Sequence, residues 1–206
     1  MGLAKQSPEG VAQAVEQALA IDIQDETMKP FALLACGEFS NLGGDAQRGV
    51  EAIQRAVDRG GQDHWYYKSL GWALAGAGRT DEAKAAFTKS LEGFESWSPE
   101  PPANADIDRW TAAYFLDLVT QERYTQRWQK DEKFACFVWF YVGQRAEIDG
   151  RVDDAIAAYE NAVELGQLPS AHHTANFAAY RLLVLTGALR PGDQAASEEF
   201  SEPLEK

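Results

Sequence analysis

Glycines recur at a fixed interval inside stretches that otherwise read as helix. In "LGWALAGAGRTDEAKAAF", Leu70 to Phe87, Gly71 and Gly78 each have a counterpart 34 residues earlier, Gly37 and Gly44. Phe87 and Ser90 are matched at the same offset by Ile53 and Ala56. A glycine in a helix interior costs about 1 kcal/mol relative to alanine, so glycines that keep such a register need a structural task. A strict interval of this length implies tandem copies of one supersecondary unit and argues against a bundle of merely similar helices. A third copy keeps the internal spacing at Trp139, Val142, Gly143, Ala146, Gly150, Ala155, Tyr159 and Ala162. Each unit reads as two helices. Gly37, Gly71 and Gly143 let helix B approach the backbone of helix A. Gly78 and Gly150, each followed by Arg, end helix A in a left-handed conformation, and Asp81 and Asp153 favour the start of helix B through its dipole. Gly76 stands outside the pattern.

The unit resembles the tetratricopeptide repeat, whose pattern is a large residue, Leu-Gly and an aromatic on helix A, a turn, then Ala, aromatic and Ala on helix B. The second copy, 64–97, carries it as Tyr67, Leu70, Gly71, Leu74, Gly78, Ala83, Phe87 and Ser90. The first copy, 30–63, has Leu33, Cys36, Gly37, Ser40, Gly44, Gly49, Ile53 and Ala56, and the third spans 136–169. The resemblance implies an all-α solenoid of antiparallel helix pairs that acts as a scaffold by binding another protein. We expect one such domain over residues 1–190. Helices at about 8–20, with Ser7 as N-cap and Pro8 at N1, and at about 170–187 would cap its apolar ends. The acidic tail, 191–206, is short of apolar residues and is expected to be disordered.

Between the second and third copies 38 residues intrude. They lack the glycines of a repeat. "PEPPANADIDRW" reads as a proline-rich turn followed by an Asp-capped helix start. One long helix over about 105–130 is expected, apolar through Trp110, Tyr114, Phe115, Leu118 and Val119 and basic through Arg123, Arg127 and Lys130. Its expected place is across the solenoid.

In this family the second, fifth, ninth and twelfth places of helix A line the concave groove. Carried over, these are Phe31, Leu34, Glu38 and Asn41, then Trp65, Lys68, Trp72 and Ala75, then Phe137, Phe140, Gln144 and Glu147. So aromatic a set suits an apolar partner peptide or helix anchored on Trp and Phe. Equally open is a groove filled by the chain's own inserted or capping helix. The carboxylate clamp of chaperone-binding members is missing, because its places hold Leu34, Glu38, Ser69, Phe140 and Gln144. A rival reading is a homodimer joined through the apolar face of 107–119 or the aromatics of 134–141. A third is an enzyme subunit, for which only scattered carboxylates speak.

The net charge of −13 argues against nucleic acid or an anionic membrane as partner, since both demand clustered Lys and Arg. The longest apolar run, "FACFVWFYV", is too short to span a bilayer. Cys36 and Cys136 lie in apolar runs without a CxxC pairing, so they read as buried hydrophobes in a reducing, cytoplasmic setting. No cofactor or metal site is expected: His172 and His173 are adjacent on a helix and diverge by about 100°, and His64 reads as a helix-terminal residue. "GAGRT" lacks the Lys and the strand of a phosphate loop, so no catalytic motif is found.

Overall fold

What closes on the repeated glycines is a ring. In a computed structural model of the chain, a Cβ at Gly71 would lie 2.7 Å from the Phe87 ring and one at Gly143 would lie 2.6 Å from the Tyr159 ring. Gly37 meets the Ile53 side chain in the same way, at 2.4 Å. Helix B therefore sets its large residue directly on bare backbone of helix A. Gly78 and Gly150 take φ of 73° and 74°, and the N–H of the arginine after each reaches back to a carbonyl of the last turn, Arg79 to Leu74 and Arg151 to Ala146. Both arginines then pair with an acid in the first turn of the next helix, Arg79 with Glu82 and Arg151 with Asp154, each at 2.6 Å. The two hairpins are copies down to these ion pairs.

The structure describes residues 29–92, 106–166 and 172–188, together with Gly10. The helices among them are α1 (Lys29–Leu42), α2 (Ala46–Asp58), α3 (His64–Gly76), α4 (Thr80–Leu91), α5 (Ile107–Phe115), α6 (Gln121–Trp128), α7 (Glu132–Ile148), α8 (Val152–Leu165) and α9 (His172–Leu185). The fold is all-α, and the described residues include no strand. The expected cap at 8–20, apart from the helical Gly10, lies outside the described residues, as do the prolines of the inserted segment and the acidic tail.

The inserted segment departs from the expectation. It is two helices, α5 and α6, and not one long helix from 105 to 130. The break lies at 116–120: Asp117 adopts a left-handed φ of 60°, and the Leu118 N–H bonds to the Ala113 carbonyl, closing α5. Thr120 then caps α6 by accepting from the Arg123 N–H at 3.2 Å. Nor does the segment lie across the row of hairpins. Helix α5 packs on α4 and α3, and α6 packs on α7, just as α3 packs on α2 and α1. The α5–α6 hairpin thus fills a place in the row, which runs on through α7, α8 and α9 with the same rule of neighbours.

The last described helix also reaches the first. Phe177 of α9 meets Phe39 of α1 edge to face at 5.1 Å, and Arg181 donates to the Leu42 carbonyl at the end of α1 at 3.3 Å. Gly76, without a task in the sequence pattern, backs onto Asn41 and Ala46: a Cβ there would lie 3.0 Å from Asn41 Oδ1.

Candidate functional site

The faces of α3 and α7 that the repeat pattern assigns to a groove point at each other. Trp72 lies edge-on to Phe140 at 6.2 Å and to Tyr141 at 5.7 Å, and its indole N–H donates to Gln144 Oε1 at 3.1 Å. Only 2% of Trp72 is exposed, and Leu34, Lys68, Phe140 and Gln144 are buried with it. These five are interior residues packed against the same chain, which corrects the picture of a groove lined by them and open to solvent. Phe137, Glu38, Asn41, Ala75 and Glu147 are half-buried. Phe31 is 49% exposed, beside a half-buried Trp65 whose ring it meets edge-on at 5.7 Å.

Two polar clusters tie this interior together. In the first, Lys68 Nζ donates to the Tyr141 hydroxyl at 2.9 Å and lies 3.2 Å from Asp108 and 3.8 Å from Glu38. Glu38 also accepts from the Ser69 hydroxyl at 2.6 Å. Burial alone would lower the Lys68 pKa, but Tyr141, Asp108 and Glu38 outweigh it and hold the ammonium charged. Burial pushes the Tyr141 hydroxyl up to about 12 against the opposing pull of Lys68. An ammonium in such a place needs its carboxylates, because an isolated buried charge is costly.

The second cluster runs from Trp72 through Gln144 to the hydroxyl of Tyr159, which donates to Glu147 at 2.9 Å. Glu147 also pairs with Arg181, so α3, α7, α8 and α9 share one chain of hydrogen bonds that ends on α1. Tyr159 is pushed well up by burial, with Glu147 adding to it.

Sequence reasoning brings Lys68, Trp72, Phe140, Gln144 and Glu147 to one place and misses Tyr141, Asp108, Tyr159 and Arg181. Tyr159 is the ring of helix B in the repeat pattern, where its hydroxyl carries no signal. Asp108 and Arg181 lie on helices without the repeat pattern, so nothing in the sequence aligns them with the groove.

At the outer end of the Lys68 cluster, Asp106 accepts from the Arg109 N–H at 3.0 Å as the N-cap of α5, and its other oxygen lies 3.0 Å from His64 Nε2. Burial opposes ionisation of Asp106, but the bonds from His64 and the Arg109 N–H prevail and hold its carboxyl below the usual value. His64, Asp106 and Asp108 are the described residues whose ligand atoms could hold a metal together. Burial raises the Cys136 thiol to about 11, which leaves it unreactive near neutrality. Cys36 is likewise buried.

No family model matches the chain, and no curated protein matches it. Among the described residues no helix is long and apolar enough to cross a membrane.

Proposed function

We propose that the chain is a tetratricopeptide-like solenoid and serves as a protein-binding scaffold, with its concave face filled by its own aromatics and its docking surface at the rim. The hairpin rule supports the first part: α1–α2, α3–α4 and α7–α8 each close a large side chain on a helix A glycine, and each hairpin packs on the next. The observation that carries the second part is Phe31. It is a large aromatic, half exposed, whose edge rests on Trp65, and both come from the second place of a helix A. Exposed aromatics backed by a second ring are the kind of residue that anchors an interface. The partner is then a protein with an apolar contact surface. The fit to a homodimer through 107–119 or 134–141 is poor, since Trp110, Tyr114, Val119, Val138, Phe140 and Tyr141 are buried within the chain.

Changing Phe31 to Glu tests the reading, because the side chain is exposed enough for the fold to tolerate it. The partner recovered by crosslinking from the native host is expected to lose at least tenfold in affinity, while the melting temperature stays within a few degrees. Undiminished binding of that partner would move the docking surface elsewhere.

A further inference from the structure

We infer that His64, Asp106 and Asp108 form a binding site for a divalent transition-metal ion. Their ligand atoms, one imidazole nitrogen and two carboxylate oxygens, lie within 4.8 Å of one another, and all three side chains are partly open to solvent. They come from two helix starts: His64 is the first residue of α3, Asp106 caps α5, and Asp108 stands in its first turn.

The geometry of the first two suits a metal. Neighbouring ligands on an ion with bonds of about 2.1 Å are about 3.0 Å apart in octahedral and about 3.4 Å apart in tetrahedral coordination. His64 Nε2 and Asp106 Oδ2 are 3.0 Å apart. The ion takes the place of the direct contact between these two atoms. Asp108 offers a further carboxylate oxygen within 4.8 Å of the other two ligand atoms. The remaining oxygens are already oriented: the Arg109 N–H holds Asp106 Oδ1, and Lys68 holds Asp108 Oδ1. Such supports around the ligands fix their aim.

Charge permits the ion despite its basic neighbours. Lys68, Arg109 and Lys89 surround the cluster, against the carboxylates of Asp106, Asp108, Glu38 and the adjoining Asp63 and Glu92. The excess is two negative charges, the amount a dication neutralises. His64 also lines a polar cleft of about 330 Å³ with Gln62, Asp63, Tyr67, Lys89, Glu92 and Arg109, so the imidazole side of the site is open to water. One nitrogen with two carboxylates suits Zn²⁺ or Mn²⁺, whereas Mg²⁺ and Ca²⁺ prefer oxygen alone.

The test is titration calorimetry of the full chain, stripped with chelator, against Zn²⁺ and Mn²⁺. One ion per chain is expected. Both His64→Gln and Asp106→Asn are expected to weaken it about tenfold or more. Asparagine still caps a helix and glutamine still donates, so both variants should keep their far-UV circular dichroism. A His172→Ala/His173→Ala double variant is expected to bind as the parent does. Absence of one-to-one binding, binding unchanged in His64→Gln, or binding lost with His172 and His173 would each overturn the site. None of these outcomes bears on the Phe31 rim.

Discussion

Hairpins α3–α4 and α5–α6 sit side by side in the row and hold their helices together by different means. In the first, the Phe87 ring rests on the bare backbone of Gly71, where an added Cβ would lie 2.7 Å from it. In the second, Tyr124 stacks on Tyr114 at 4.9 Å, and its hydroxyl shares a hydrogen bond of 2.6 Å with Thr111. A ring-on-ring contact needs space where a ring-on-glycine contact needs none. The difference teaches that the glycine spacing marks how closely a pair packs, and that a hairpin can take its place in the row without it.

Interior shared by the glycine-bearing hairpins should matter most. Trp72→Ala is expected to lower stability by about 4 kcal/mol, because it empties the contact between α3 and α7 and leaves Gln144 without its indole donor. Thermal melting measures this. A loss below about 1 kcal/mol would mean that the two hairpins do not depend on one another.

The close crossing itself is probed by Gly143→Ala. The new methyl would stand 2.6 Å from the Tyr159 ring, so α7 and α8 must move apart at a loss of about 2 kcal/mol in denaturant unfolding. Tyr124→Phe is the counterpart in the glycine-free hairpin. It removes one hydroxyl while Thr111 keeps its bond to the Ile107 carbonyl, so about 1 kcal/mol is expected. Equal losses in the two variants would erase the distinction.

The smallest effect lies at the start of α5. The folded-state pKa of Asp106 is held below its ordinary 3.8, so the stability it supplies is present above that value and is lost as pH falls through the lower one. Melting temperature should decline below about pH 4, and Asp106→Asn should flatten part of that decline. An identical acid limb in the variant would show that the cap does not respond to protonation.

The helical class was legible because two signals agreed, the glycine spacing and the aromatic and alanine places that the copies share. The broken insertion was not: Asp117 in a left-handed turn has no glycine to announce it, and the run from Trp110 to Val119 keeps a helical period across the break. That α3 and α7 carry corresponding aromatic places was legible from the repeat register. Their burial was not, because it depends on α7 returning to α3 and on α9 reaching α1. Those contacts join residues 72 and 138 positions apart, Trp72 with Gln144 and Phe39 with Phe177, and no local pattern encodes them.

The central claim, that the aromatic faces of α3 and α7 are interior, is tested most directly by hydrogen exchange at the indole N–H of Trp72. Its resonance is assigned by comparison with a Trp72→Phe variant. A proton bonded to Gln144 inside the fold should exchange at least about a thousandfold more slowly than a free indole, through the opening that unpacks α3 from α7. Exchange at the rate of a free indole in the folded protein would contradict the account and return the facing sides of α3 and α7 to solvent.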